Sequence, residues 1–238
     1  MRRRLATLLL LVLAGFGGLL LYGHARSHPE DVPWTALDLA RPVGAFTGRK
    51  LAGLEGGRCM ALLTRAGVRF SRLPDRQAGP ECGYRQAVRF APGGALAIGY
   101  GPADLGAQCR VAAALALWEW HVVQPAAQRH FGRPVVGIDH YGSYSCRRLY
   151  GRGSGAWSEH AHANALDIAG FTLAGGRRIA VLADWRGHGE EAAFLREVRD
   201  GACRLFSTVL SPDYNAAHHN HLHLDQAARG AWGWRACR

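Results

Sequence analysis

The hydrophobic pattern opens with one long apolar stretch. In "MRRRLATLLLLVLAGFGGLLLYGHARSH" no charge falls between Leu5 and Tyr22, and three arginines precede the run. A basic start followed by an apolar segment is an export signal, and its length lies between a signal-peptide core and a short transmembrane helix. Gly23-His24-Ala25 is only a passable cleavage site, so residues 1–25 read as a signal sequence or an N-terminal membrane anchor, with the anchor favoured. The arginines keep that end in the cytoplasm, and the rest of the chain lies outside. Residues 26–50, with three prolines and little periodicity, read as an arm or linker, and residues 51–238 as one folded domain.

Within the domain the period changes repeatedly. "DLGAQCRVAAALALWEWHVVQPAAQR", residues 104–129, predicts a helix capped by Asp104, kinked at Pro125 or restarted there as a second segment, and ended by Gly132 and Pro134. "PVVGIDHYGSYSC" predicts a strand, and "ALDIAGFTL" and "RRIAVL" predict two more around Ala174-Gly175-Gly176. "EEAAFLREVRDGACRLFSTVL", residues 190–210, predicts a helix with acids in its first turn, stopped at Ser211-Pro212. The last segment, "HHNHLHLD", alternates. As a strand it buries Leu222 and Leu224 and presents His221, His223 and Asp225 on the other face. The expected fold is α+β, a small antiparallel sheet flanked by helices.

At 238 residues and 48% hydrophobic the chain can bury a proper core. Its formal charge is +11, and setting aside the three N-terminal arginines leaves +8, spread over arginines with Lys50 as the sole lysine. Such a body suits an anionic surface or polymer. Nucleic acid is not expected, because no basic patch is interleaved with aromatics. All six cysteines follow the apolar segment and none forms C-x-x-C, so disulfides are expected and a cysteine-bound metal or redox motif is not. Cys59 with Cys82 is the best local pair.

Four histidines and an aspartate in the eight residues 218–225 suggest a metal site, an acid/base pair, or a merely solvated strand face. A second stretch, "SEHAHANALDIAGF", decides between them: His160 and Asp167 are close enough in sequence to meet at one point on the sheet. Together with one histidine of the last strand they offer two imidazoles and one carboxylate, which leaves zinc a fourth position for water. The paired histidine is then the base. Asp225 is expected to orient a ligand histidine. Ser158 fits either a substrate contact or a turn cap, His162 and His219 a structural or solvated role. Trp118, Trp120, Trp232 and Trp234 are expected to pack in the core.

The pattern S-x-H-x-x-G-x-A-x-D, matched at Ser158, His160, Ala165 and Asp167 with Ala163 in the glycine position, and the later His221-Leu222-His223, resemble the zinc peptidases. That group includes D-alanyl-D-alanine carboxypeptidases, D-Ala-D-Ala dipeptidases, murein endopeptidases and lysostaphin-type enzymes. The resemblance implies that His160, Asp167 and His223 hold Zn2+ and that His221 is catalytic. His218 extends it to the H-x-x-H-x-H arrangement of penicillin-insensitive murein endopeptidases, where it would assist base or substrate, and Arg147 would hold a substrate carboxylate or carbonyl. "PWTALDLARPVG", "CGY", "GSYSCR", "VLSPDYNAAHHNHLHLD" and the closing "CR" make the chain similar to the bacterial extensin-like C-terminal family. The expected function is an exported, periplasmic, inner-membrane-anchored zinc peptidase acting on peptidoglycan peptides. A zinc-stabilised wall-binding domain without hydrolysis and an amidase at the sugar-to-peptide bond remain as alternatives.

Overall fold

The structure, a computed structural model, describes residues 2–230 and 234–238. The apolar run forms α1 (Arg2–Ser27), a single helix with no buried residue that is long and apolar enough to cross a membrane. The stretch read as an arm folds against the body: Val32 and Leu39 are buried, and Lys50 Nζ donates to the Pro29 carbonyl at 3.2 Å and to Thr35 Oγ1 at 2.8 Å. It ends in α2 (Thr47–Ala52), followed by α3 (Gly56–Arg65).

The remaining helices are α4 (Cys109–Trp118), α5 (Gln124–Phe131), α6 (Val181–Asp184) and α7 (Glu190–Ala202). A small sheet joins β1 (Phe70–Arg72), β4 (Ala87–Phe90) and β6 (Gly106–Gln108), and β2 (Arg76–Gln77) pairs with β3 (Gly83–Tyr84). The main sheet contains β5 (Gly99–Gly101), β7 (Val135–Gly142), β8 (Ala165–Leu173), β9 (Arg178–Ala180), β10 (Thr208–Leu210), β11 (Leu222–Asp225) and β12 (Ala236–Cys237). Its order is β12-β10-β11-β8-β7-β5, with β9 also on β8. The fold is thus α+β, but the sheet is larger than expected and mixed, because β5 runs parallel to β7 and β12 parallel to β10.

Several elements differ from the sequence reading for identifiable reasons. Residues 106–108 pair with β4 instead of starting the helix, and Asp104 bonds Arg89 rather than capping, so α4 starts at Cys109. Pro125 starts a second segment, one of the two outcomes expected of it: a π-type turn over Glu119–Val123 widens the backbone just before it and the proline sits in the first turn of α5. "RRIAVL" leaves the strand at Ala180, whose N–H is taken by Asp184 Oδ2 at 2.8 Å to start α6. The helix from Glu190 stops at Ala202, and the β-branched Thr208 and Val209 pair with β11 instead of prolonging it.

The core lies where α4 and α7 cover the main sheet. Trp118 is fully buried, donates Nε1–H to the Val198 carbonyl at 2.8 Å and packs on Phe171, which in turn packs on Phe194. Trp120 is partly buried and donates to the Ala95 carbonyl. Trp234 corrects the expectation of a packed residue, being 75% exposed, and Trp232 lies outside the described residues. A register shift around Ala169 sets the direction of Asp167. Before the shift Leu166 and Ile168 are buried in the core, after it Phe171 and Leu173 are, and Asp167 is left to face the other way. The disulfides are Cys59–Cys109, Cys82–Cys146 and Cys203–Cys237, which overturns the Cys59–Cys82 pairing: Cys59 lies on α3 and bonds the start of α4, while Cys82 ties the β2–β3 hairpin to the loop after β7.

Candidate metal centre

Three separately placed elements bring one donor atom each to a single point. Asp167 and His223 are direct cross-strand partners on β8 and β11, and His160 comes from a short 3₁₀ turn, Glu159–His162, just before β8. Ser158 caps that turn, its Oγ accepting from the His160 N–H at 3.3 Å, which is the cap role. The turn closes through Ala163 at φ +52°, in the left-handed region that favours glycine, at the position where the zinc-peptidase pattern has glycine. Here the chain accepts alanine in a conformation that ordinarily costs about 1–2 kcal/mol.

His160 Nε2, Asp167 Oδ1 and His223 Nδ1 stand 3.2, 3.2 and 3.0 Å from one another. All three residues are buried, and their ligand atoms form a group able to hold a metal ion. Tetrahedral zinc with bonds near 2.0–2.1 Å places its ligands about 3.3–3.4 Å apart, so the triangle fits such an ion closely. The tautomers fit too. His160 Nδ1–H donates to the Ser143 carbonyl at 2.6 Å and His223 Nε2–H to Asp225 Oδ2 at 3.1 Å, which turns both remaining lone pairs to the shared point. Gly142, at φ +99°, is the bend that takes the chain off β7 just before Ser143. Two lone pairs and a carboxylate aimed together repel unless a cation lies among them. Without an ion a proton takes that place: burial opposes it, yet hydrogen bonds to Asp167 and Asp225 push His223 up to about 9, and burial is likewise outweighed at Asp167, which His160 and His223 hold well below the usual carboxylate range.

His221 is outside this triangle. Its Nε2 lies 3.5 Å from Asp167 Oδ1, and its Nδ1–H donates to Asn220 Oδ1 at 2.8 Å while the Asn220 amide donates to the Tyr141 hydroxyl. With the Asn220 carbonyl turned to Nδ1 in this way, the His221 Nε2 lone pair faces the centre. His218 is fixed in the same way by Asn215 Oδ1 at 2.7 Å and stacks against His221 with ring centroids 5.2 Å apart. Burial pushes both imidazoles down, His218 to about 4, so both are neutral at neutral pH; the charges of neighbouring His223 and Arg147 add to the push. His219 is exposed and bonds the Ala216 carbonyl, and His162 faces a second cavity of about 530 Å³ on the far side of the turn.

The triangle opens into a cavity of about 450 Å³, into which Arg147, His218 and His221 also project. Sequence reasoning missed Asn215 and Asn220, which orient the two histidines, and Arg229, Arg238, Tyr150 and Tyr214 of the cavity wall. The asparagines stood in "NAAHHNH" and had a signal, an amide close to each imidazole; the Ser143 carbonyl, being backbone, had none.

Comparison with curated proteins and with solved structures returns no match. The family described as "Extensin-like protein C-terminus" matches residues 57–238, which holds the whole triangle, both outer histidines and the three disulfides. The apolar N-terminal helix precedes that region and suits a signal or membrane anchor, and the paired cysteines suit an exported protein. This chain belongs to the extensin-like C-terminal family.

Proposed function

We propose that the protein is an exported zinc-dependent peptidase that hydrolyses peptide bonds of peptidoglycan, held at the inner membrane by α1 with its domain in the periplasm. One observation carries the reading: the 3.0–3.2 Å triangle of His160 Nε2, Asp167 Oδ1 and His223 Nδ1, with a neutral imidazole beside it whose lone pair faces inward. His160, Asp167 and His223 would hold Zn2+, whose chemistry when bound is to polarise a carbonyl and acidify water.

The residues of the chain supply the rest. His221 Nε2 accepts a proton from the attacking water and returns it to the leaving amine, a role that suits a group neutral at the working pH. Asn220 holds the His221 ring in register by its bond to Nδ1. His218, neutral and stacked on His221, excludes water from that side and offers a second acceptor. Arg147 binds a substrate carboxylate or carbonyl through the fixed fork of its guanidinium. Asp225 fixes the His223 tautomer, and its other oxygen is bound by the Ala227 N–H at 2.9 Å.

The inward lone pair of His221 favours hydrolysis over wall binding alone, since a structural site has no use for an oriented free base. The test is to digest purified sacculi with the protein and identify the released fragments by mass spectrometry. Cleavage within stem peptides or cross-links is expected. Release of intact peptides from the sugar would instead make the protein an amidase, and binding without release a wall-binding domain.

A further inference from the structure

Arginine is abundant in this chain, and most informative where it lacks a partner. Arg89, Arg129, Arg177 and Arg178 each hold a carboxylate. Among the described residues no ion pair engages Arg147, Arg229 or Arg238, and these three line one cavity, the one that contains the metal triangle. Arg147 comes from the loop after β7, and Arg229 and Arg238 from the last ten residues, after β11 and after β12, so the fold brings the first to the other two. Arg229 donates to Thr208 Oγ1, a neutral acceptor that orients the guanidinium without neutralising it.

The charge of the cavity can be counted. Its charged lining consists of these three arginines against Glu159, Asp167 and Asp225. Asp167 and Asp225 are occupied by the histidines of the triangle, and Glu159 is turned to the Asn164 amide and toward Arg110. With a divalent ion in the triangle the lining carries a positive excess. Such an excess is complementary to an anionic ligand, a guanidinium is the side chain best shaped to take a carboxylate through two hydrogen bonds, and three unpaired guanidiniums exceed what one carboxylate can engage.

We propose that Arg229 and Arg238, together with Arg147, form an anion-recognition wall beside the metal triangle that selects substrates carrying at least two carboxylates. Resting on the peptidase reading, this names the substrate class: a peptide with a free carboxylate in addition to the one that Arg147 takes. Tyr150 and Tyr214, whose rings lie against His218, give the same cavity apolar walls for the body of such a peptide. Arg229 and Arg238 are specificity residues in this arrangement and take no part in proton transfer.

The experiment measures binding, so that it stands apart from turnover. Two synthetic peptides ending in D-Ala-D-Ala are used, one with a free side-chain carboxylate and one with that carboxylate amidated. They are titrated calorimetrically into zinc-loaded full-length protein in detergent, in a His221→Ala background that slows cleavage. The diacid is expected to bind at least about tenfold more tightly than its amide, and Arg229→Gln and Arg238→Gln each to remove about tenfold or more of the diacid affinity while changing the amide less than about threefold. Zinc content and binding of the amidated peptide report whether each variant is intact, and either variant alone suffices if the other does not fold. Equal affinity for diacid and amide, binding of neither peptide, or variants that bind both as the parent does would overturn the proposal. If the arginines select the diacid but sacculi are not cut, the recognition wall stands and the peptidase reading fails; if sacculi are cut and the arginines make no difference, the reverse holds.

Discussion

Replacing Asp225 by asparagine tests how much of the candidate metal centre is built by a residue outside the three proposed ligands. Asp225 is 5% exposed and uses both oxygens, Oδ2 accepting from His223 Nε2–H and Oδ1 from the Ala227 N–H. Asparagine is nearly isosteric but has one acceptor. If its oxygen stays with Ala227, its NH2 faces His223 Nε2 and forces the proton onto Nδ1, the atom that belongs to the triangle. If the oxygen turns to His223, the tautomer is kept, but the carboxylate charge that raises ligand basicity is gone and the Ala227 N–H faces an amide donor. On the proposed reading either arrangement should weaken zinc binding. Loss of such an outer partner ordinarily costs roughly 10- to 100-fold in metal affinity, about 1.4 to 2.7 kcal/mol. The assay is competition with a chromophoric zinc chelator on wild type and Asp225→Asn, with thermal unfolding of both zinc-free proteins as a check on folding. A zinc affinity within about twofold of wild type in a folded variant would show that Asp225 does not fix His223.

Three further outcomes depend on particular groups. His223→Ala removes a donor of the triangle and should lose zinc and hydrolysis together, whereas His221→Ala should keep about one zinc per chain while turnover falls by roughly 10²–10⁴; loss of zinc in both, read by metal analysis beside a peptide-cleavage assay, would make His221 a ligand. Peptide mapping without reductant should recover Cys59–Cys109, Cys82–Cys146 and Cys203–Cys237 and no free thiol, and loops of 50, 64 and 34 residues imply about 4 kcal/mol of stability from each bridge in the chain-entropy account, so removing any one should lower the melting temperature markedly. Glu119, fully buried and bonded among the described side chains to the Tyr100 hydroxyl, is raised well above the ordinary carboxylate value by burial, so the folded state holds its proton while the unfolded chain releases it as pH rises past about 4.5; stability falls over that range, and the advantage of Glu119→Gln over wild type, measured by chemical unfolding, should grow from pH 4 to pH 8 and be smallest at the acid end.

The candidate site was more legible in the sequence than the fold around it. Period-two alternation in "HHNHLHLD" is enough to put Leu222 and Leu224 in the core and His223 with Asp225 on the opposite side, and the spacing of His160 and Asp167 is enough to let a turn bring them to the same strand pair. What alternation does not carry is the tertiary competition for a segment. Residues 104–108 have helical composition, but β4 offers a backbone partner and Arg89 takes the Asp104 carboxylate, so that stretch becomes strand. Thr208 and Val209 continue a helical run on paper, and their β-branched side chains with an open edge at β11 decide for strand instead. Disulfide pairing was out of reach for the same reason: Cys59 and Cys82 are close in sequence, but α3 packs on α4 and the β2–β3 hairpin reaches the loop after β7. Arg229 and Arg238 were invisible as site residues because nothing local distinguishes them from the other arginines; only the lining of the cavity does.

Everything proposed for the reaction depends on a metal held by His160, Asp167 and His223, and the zinc content of the purified protein tests that dependence at its root. After exhaustive dialysis against metal-free buffer and reconstitution, wild type should hold about one zinc per chain by elemental analysis, and Asp167→Ala far less. A wild-type protein that holds no zinc and takes none up, or an Asp167→Ala protein that retains a full equivalent, would contradict a metal centre at these three residues.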